Sequence, residues 1–327
     1  MRKFILVVVV ACTTLFFTGC EKPTKQQELV EFGGLKVNLS ENLDPDILFM
    51  DFEDLKRKYQ KSRMHAGYRF TEELDIPLDI MVEMVENVFS DYANTDSLTD
   101  EGILEIQSVF YELESHEIAE NIETIDSFYV AFMRDQLIDC LANYDNSNQR
   151  QYDNYGLNSA EKWALIWRPR MIGPTRDATK KSMELSDEHY PNSNGYQTKK
   201  DAFRHSLWNA LIAKYAGAKK NKIWKCVKWA KKFTDKHEEC SEKPDNLTDE
   251  EFAFDQAMDY HNNEIGRDYF ESVAWTYKKN WRTRRRVKSP SADDMAATIY
   301  EKSEAGVQVA NKNEISNYPD VLVYIVE

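Results

Sequence analysis

Residues 201–212 read DAFRHSLWNALI, and this stretch predicts a helix at the centre of an α-helical fold. Asp201, His205 and Trp208 follow one another at intervals of four and three residues, so the carboxylate, the imidazole and the indole share one helical face. The opposite face of this helix contains Phe203, Leu207 and Leu211. A helix with apolar residues on both sides is surrounded by other helices, and we therefore expect His205 to be partly buried.

Two further polar segments follow on predicted helices. The first contains His237 and Glu238, and the second reads MDYHNNEIGR from residue 258 to 267. The helical stripe that contains His261 is otherwise apolar, which places this histidine toward the core. Asn is a poor helix former and needs hydrogen-bond partners when buried, so the two adjacent Asn residues of this segment need explaining. Helices that turn such groups inward can build a site inside a bundle.

The polar groups of these segments are suited to hydrolysis. In one interpretation, His205 or His237 acts as a general base on water and is oriented by Asp201 or Asp235. The guanidinium of Arg204 and neighbouring amide groups would then steady a developing oxyanion. The predicted catalytic residues are His205, His237, His261, Asp201, Asp259, Arg204, Asn262 and Asn263.

A second interpretation is a metal site, in which a divalent ion such as zinc activates the water. This interpretation is the weaker of the two, because the sequence has no short His-x-x-x-His pair. The sequence also lacks a Gly-rich loop that would grip a phosphate, so no cofactor other than this metal is expected. The predicted metal ligands are His205, His237, Glu238 and His261.

Each residue also has a purely structural interpretation. A histidine on an apolar face is more often a hydrogen-bonded core residue than a catalyst. Asp201 can be the acidic partner of a Thr198 helix cap, Arg204 can pair with Asp259, and Arg267 can pair with a neighbouring surface acid. The clustering of polar residues in the sequence favours a functional site, because three His, four candidate carboxylates and three Asn fall within 67 residues.

Length and charge predict two domains. Residues 20–150 contain 29 acidic and 11 basic residues, whereas residues 151–327 contain 27 acidic and 29 basic residues. Residues 144–155 are rich in Asn, Gln and Asp and have no apolar stripe, which is typical of a boundary. We therefore predict a mainly α protein with an acidic helical domain at 30–148 and a helical bundle domain at 155–327.

The two predicted domains differ in their expected surfaces. The first has apolar residues at helical spacing, and its acidic surface would repel nucleic acid, so no nucleic-acid partner is expected. The second contains a basic run, Lys278–Lys288, which would contact anionic lipid or wall polymer, or balance the acidic domain. We prefer the intramolecular interpretation because it needs no partner. Alternation over Asp320–Val326 predicts a short terminal strand.

The first twenty residues have the order of a secretory signal. A basic start is followed by the apolar run Phe4–Phe17, whose 14 residues are too few for a bilayer span of roughly 20. The run ends in Phe17-Thr18-Gly19-Cys20, which resembles the lipobox of bacterial lipoproteins. We predict a signal peptide over residues 1–19, a lipid on Cys20 and a polar tether over residues 20–29. An uncleaved anchor is the alternative, and both place the body outside the cytoplasm.

Three segments resemble, in order, the motifs of a family of uncharacterised bacterial helical domains. They are Asp201–Asn209, His237–Glu238 and Met258–Arg267, matching Asp-Ala-x-Arg-His-x-x-Trp-Asn, His-Glu and Met-Asp-x-His-Asn-Asn-x-x-Gly-Arg. The resemblance extends from about Leu157 to the C-terminus. It implies an end domain of a secreted or surface protein, and it implies no established reaction.

The sequence therefore predicts a lipoprotein held on a membrane of the bacterial cell envelope. Its second domain would hydrolyse an envelope ester, amide or phosphodiester. The alternative is a non-catalytic surface binding or scaffold protein, in which the same groups form a buried polar network and the acidic domain binds a protein partner. An enzyme requires the three histidines to converge on one solvent-reachable pocket, whereas a scaffold would separate them or seal them in.

Overall fold

The computed structural model describes residues 29–39, 43–68, 74, 76–145, 157–193 and 195–326. These residues form a mainly α fold with short strands, which confirms the predicted fold class.

A hairpin and a group of helices make up the first half of the chain. Strands β1 (Leu29–Phe32) and β2 (Leu35–Asn38) pair antiparallel. The helices are α1 (Phe52–His65), α2 (Leu78–Phe89), α3 (Asp100–Val109), α4 (Ser115–Glu120) and α5 (Ile122–Ala142). Helix α5 lies in the middle of this half, because α1, α2 and α4 all contact it.

The second half of the chain contains the longer helices. They are α6 (Ser159–Trp167), α7 (Ile172–His189), α8 (Lys199–Ala216), α9 (Ile223–Glu239), α10 (Asp249–Val273) and α11 (Ala292–Glu304). The strands are β3 (Trp275–Tyr277), β4 (Arg286–Lys288), β5 (Val307–Gln308) and β6 (Val323–Tyr324). Strands β3 and β4 pair antiparallel, and β5 and β6 pair parallel.

Several helix starts follow the capping residues in the sequence. Asn158, Thr248 and Ser291 each accept a hydrogen bond from the third helical residue, whose carboxylate bonds back to the cap. These reciprocal bonds satisfy backbone donors that the first helical turn leaves free. Helix α8 also begins after the predicted Thr198, but no side-chain cap bond forms there. The Asp201 carboxylate, which was expected to complete that cap, bonds Gln197 and Arg204 instead.

Helix α8 is the central element, as the sequence predicts. It contacts α7, α9, α10 and α11. Phe203, Leu207 and Leu211 are fully buried, and the polar face with Asp201 and His205 is buried as well. Burial on both sides makes α8 the element from which the site is built.

Helices α8 and α10 approach each other unusually closely at Gly266. A Cβ atom added there would lie 2.0 Å from the backbone oxygen of Ser206. Only a residue without a side chain fits at that separation. This contact holds the part of α8 next to His205 against the part of α10 that contains Asp259.

One hydrophobic core runs through both halves of the chain. It joins Leu137 and Ile138 of α5 to Leu165 of α6 and to the apolar face of α8. Ion pairs cross between the halves too, because Arg284 lies 2.7 Å from Glu123 and 3.1 Å from Asp126. Part of the predicted basic run therefore balances acidic residues within the chain.

Some predictions fall outside the described residues. These are the signal peptide, Cys20, the tether except Leu29, and residues 146–155 of the predicted boundary. None of the described helices has the length and apolar character that a membrane crossing requires. The predicted terminal strand contracts to the two residues of β6, which the Asn262 side chain holds through the backbone N–H and C=O of Val323.

We expect Gly266→Ala to lower the free energy of unfolding by about 3 kcal/mol, because the added methyl forces α8 and α10 apart. Urea denaturation measures the loss. Gly173→Ala in α7 is the matched control, since its added Cβ would have no neighbour within 4 Å. That control should change stability by no more than about 1 kcal/mol, toward stabilisation. Equal effects of the two substitutions would contradict the close-packing interpretation.

Candidate functional site

The imidazole of His205 lies among carboxylates from three helices. Its Nε2 is 3.5 Å from Asp201 Oδ1 and 3.3 Å from Asp259 Oδ1, and its Nδ1 is 3.5 Å from Glu238 Oε1. These side chains are supplied by α8, α10 and α9, so the packing of three helices assembles the group. The His205 side chain is 4% exposed. We call these four residues the His205 cluster.

The neighbours of His205 fix its tautomer. Arg204 Nη2 lies 3.1 Å from His205 Nε2, and a guanidinium only donates hydrogen bonds, so Nε2 is the acceptor. The proton then resides on Nδ1, which faces Glu238. Contacts of 3.3–3.5 Å are somewhat longer than hydrogen bonds, as catalytic contacts often are before a substrate binds. Nε2 is therefore the nitrogen available to take a proton.

Asp201 does not cap α8 as its structural interpretation suggested. Its Oδ2 accepts a 2.7 Å hydrogen bond from the Gln197 backbone N–H, and its Oδ1 accepts a 2.5 Å bond from Arg204. Gln197 has a left-handed backbone with φ of 58°, which is costly for a residue with a side chain. Asp201 thus holds the loop before α8 and positions Arg204, which pairs with Asp201 rather than with Asp259.

The His205 cluster concentrates negative charge in the protein interior. Burial, and after it the negative charges of Asp201, Glu238 and Asp255, raise the pKa of Asp259 well above its ordinary value of 3.8. Burial likewise raises the pKa of Asp255. Glu238 differs, because contacts with His205, His237 and Asn263 outweigh its burial and lower its pKa. Asp259 is thus the carboxyl that most readily holds a proton or gains from a bound cation.

A buried amide network supports the floor of the site. Asn209 Nδ2 donates to Asn263 Oδ1 at 2.5 Å, and Asn263 Nδ2 donates to Glu238 Oε1 at 2.9 Å. The side-chain oxygen of Asn209, Oδ1, accepts hydrogen bonds from Thr234 and from Arg267. Arg267 is 5% exposed, so its expected role as a surface charge is wrong. These bonds fix the side of Glu238 that faces His205.

The second histidine, His237, lies beside the His205 cluster. Its Nδ1 is 3.2 Å from Glu161 Oε1, and its ring packs edge-to-face on Trp208 with the centroids 5.1 Å apart. Glu161 is fully buried. Because one end of Glu161 caps α6 and the other faces His237, this residue links the start of α6 to the site.

The third histidine lies elsewhere. His261 Nε2 is 2.8 Å from the backbone oxygen of Val321, and Asn262 bonds the backbone of Val323. Both residues connect α10 to the C-terminal segment. Among the predicted site residues, the structure brings together His205, His237, Asp201, Asp259, Arg204, Asn263 and Glu238, and it separates His261 and Asn262 from them.

A small pocket connects His205 to the surface. Thr179, Ser182 and Met183 of α7 form one wall, and the opposite wall is Arg204, His205, Trp208 and His237. The cavity measures about 30 Å³, enough for one or two water molecules. Its mouth is formed by partly exposed side chains, with Arg204 at 39% and His237 at 24% exposure.

Three residues of the cluster are arranged as metal ligands. One atom each of Asp201, His205 and Asp259 lies within 4.8 Å of the other two. The separations from His205 Nε2 to the two carboxylate oxygens, 3.5 and 3.3 Å, are near the roughly 3.3 Å between ligands of a tetrahedral site with 2.0–2.1 Å bonds. Only His205 belongs to the predicted metal set, since His237, Glu238 and His261 are absent from this group and Asp201 and Asp259 take their place.

Two acidic residues near the site, Glu161 and Asp255, are not among the residues predicted from the sequence. Asp255, Asp259 and Asn263 recur every four residues on α10, so helical spacing alone could have placed Asp255 on the same face. No comparable signal exists for Glu161, since it reaches His237 through packing between α6 and α9.

We expect Asp259→Asn to stabilise the chelator-treated protein at neutral pH relative to the parent. The folded parent has a raised Asp259 pKa, so it binds more protons than the unfolded chain above pH 3.8 and loses stability as pH rises. The stability difference between variant and parent should therefore grow from pH 4 to pH 7, as measured by urea denaturation. The control Asp249→Asn removes an exposed carboxylate paired with Lys243 and should show no such growth.

Comparison with known proteins identifies one matching family model. Residues 162–292 match a domain of unknown function, DUF6973. No match was found among curated proteins or among solved structures. The matched segment runs from α6 to the start of α11 and contains every residue of the His205 cluster. The helical part of this chain that builds the site is thus similar to an uncharacterised domain family.

Proposed function

We propose that this chain is a hydrolase that cleaves an ester, amide or phosphodiester of the cell envelope, with His205 as the general base. The observation that carries the proposal is the His205 imidazole, buried among Asp201, Glu238 and Asp259 at the base of a pocket that reaches solvent. A perturbed carboxyl beside a histidine in such a pocket is typical of an active site.

In this proposal each contact has a role in the reaction. Glu238 orients the Nδ1–H of His205, and a water molecule takes the place of Arg204 at Nε2 when Arg204 turns to the substrate. Nε2 takes a proton from the water as its oxygen bonds to the carbonyl carbon or the phosphorus. The bond to the leaving group then breaks, and the imidazolium returns the proton to the leaving oxygen or nitrogen. Arg204 at the mouth stabilises the negative charge that develops.

A divalent cation is compatible with the same residues. Asp201, His205 and Asp259 would hold it, and it would lower the pKa of a bound water. The buried carboxylates outnumber the nearby positive groups, of which Arg204 is the nearest, and this excess of negative charge favours a bound cation. Arg204 would have to turn toward solvent, which its partial exposure permits.

We also propose the setting of this reaction. The basic start, the short apolar run and Cys20 support a bacterial lipoprotein that is anchored outside the cytoplasm by its lipid. The two-domain organisation, with an acidic part at 30–148 and the site in 155–327, belongs to the same proposal. The charge difference between the two parts supports it.

The size of the pocket favours a second candidate function. A cavity of about 30 Å³ admits water but no substrate unless side chains at its mouth move. In that case the His205 cluster and the amide network behind it form a buried polar network of a non-catalytic binding or scaffold protein. Such a network gives structural specificity without chemistry.

We expect His205→Gln to reduce hydrolysis by roughly 10²–10⁴-fold, the usual contribution of general acid–base catalysis. Release of nitrophenolate from p-nitrophenyl acetate and bis(p-nitrophenyl) phosphate measures this, with amide cleavage followed on an aminoacyl p-nitroanilide. His116→Gln, which changes an exposed histidine of α4, is the matched control and should keep full activity. If the parent cleaves none of these probes and His205→Gln instead loses about 1–3 kcal/mol of stability, the non-catalytic candidate replaces the enzyme.

We expect the purified chain to bind one Zn²⁺ ion per molecule after loading, as measured by inductively coupled plasma mass spectrometry. Asp201→Asn and Asp259→Asn should each weaken binding, because each removes a ligand charge. Asp249→Asn should leave it unchanged, since Asp249 lies on the surface beside Lys243. A parent chain that retains no ion would exclude the metal route and leave His205 as the base on its own.

A further inference from the structure

A second pocket, formed by different residues, lies where the two halves of the chain meet. It is bounded by α5, by the turn at residues 168–171, by the loop at residues 219–220 and by α9, and it measures about 360 Å³. Nine Lys and Arg side chains and two carboxylates line it. We call it the basic pocket. Its strong positive charge contrasts with the formal charge of −14 on the whole chain.

Some of these cations are neutralised within the chain. Arg170 lies 2.8 Å from Asp126, and Lys219 lies 2.6 Å from Asp96. Arg284 forms the ion pairs with Glu123 and Asp126 described above. Both carboxylates that line the pocket are therefore already paired.

The remaining cations have no such partner. In the described ranges, no carboxylate lies within 4.0 Å of the charged groups of Arg134, Arg168, Lys220, Lys228 or Lys232. Their side chains come from four separate segments of the chain, so the fold itself brings them together. A helix face alone would supply only Lys228 and Lys232, which are four residues apart on α9.

Burial, and after it the crowding of positive charge, lowers the pKa of several of these cations. Burial, and then the positive charge of Arg168, lower the pKa of Lys220. Burial and the charge of Arg168 lower the pKa of Lys232 as well, and burial lowers the pKa of Arg134 to about 10. Like charges held together without counter-charges cost free energy, and a bound anion would remove that cost.

We propose that the basic pocket binds a phosphate-bearing ligand with two or more phosphate groups. Each phosphate carries up to two negative charges and several acceptor oxygens, so a small number of them matches the charge of the five cations that lack a carboxylate partner. The guanidinium of Arg168 suits bidentate contact with phosphate oxygens, while the lysines supply point charges. Trp224, which is 53% exposed beside the pocket, offers a flat surface for a ring or sugar of the ligand. This inference does not depend on the proposed hydrolase.

Titration of the full chain with inorganic tripolyphosphate in a calorimeter tests the proposal. We expect binding that weakens as salt is added, and that weakens about tenfold in Arg168→Gln and in Lys228→Gln, because each loses a charge-assisted hydrogen bond. Both residues are exposed, so thermal unfolding should be unchanged and should verify that the variants fold. Lys231→Gln is the matched control on the same helix, since Lys231 lies outside the pocket and pairs with Asp235.

A parallel arm with cardiolipin vesicles, whose lipid carries two phosphates, compared with phosphatidylcholine vesicles, identifies the source of the phosphate. Tripolyphosphate binding that depends on Lys228 supports a soluble ligand. Binding of the cardiolipin vesicles alone, with the same dependence, supports lipid headgroups as the phosphate source. If neither binds, or if Lys231→Gln weakens binding as much as Lys228→Gln, the proposal is overturned.

Discussion

The contact between Gly266 and the backbone of Ser206 sets the distance between α8 and α10, and the site depends on that distance. His205 precedes Ser206 directly, and Asp259 lies two helical turns before Gly266. The 3.3 Å contact between His205 and Asp259 and the 2.5 Å bond between Asn209 and Asn263 both cross this helix pair. A side chain at residue 266 would separate the helix axes and stretch both contacts together. The chemistry proposed at His205 thus requires a residue without a side chain at position 266.

Burying so many carboxylates is costly, and the way the fold limits that cost explains the composition of the site. Asp201 and Glu238 each gain a specific partner, the first through Arg204 and the second through His205 and Asn263. Asp259 lies 3.3 Å from His205, but burial and then the charges of Asp201, Glu238 and Asp255 raise its pKa. A stable core would replace such a group with an apolar one. Its position 3.3 Å from His205, which lines a water-sized pocket, is what makes a proton-transfer or cation-binding role the better explanation.

Helix α9 connects the two charged regions of the second half. One of its faces supplies Lys228 and Lys232 to the basic pocket, and another supplies His237 to the small pocket and Glu238 to the buried side of His205. The acidic first half neutralises the part of the basic surface that it touches, through Asp96, Glu123 and Asp126. The positive charge that remains lies at the edge of this contact. The positive charge of the second half is therefore neutralised by ion pairs where the two halves touch, and it stays unneutralised in the neighbouring basic pocket.

The sequence by itself determined the mainly α class, the central position of α8 and the helix starts at Asn158, Thr248 and Ser291. These features follow from hydrophobic period and from capping bonds that span three residues, so the local chain contains all the information they need. It also pointed to the segments around His205, His237 and Asp259. Only the tertiary structure decided which side chains meet: His205 contacts three carboxylates, while His261 bonds the backbone of Val321, 60 positions further along the chain. Helical period fixes the direction of a side chain from its own axis, but its neighbours are set by how distant helices pack, and that information is not local.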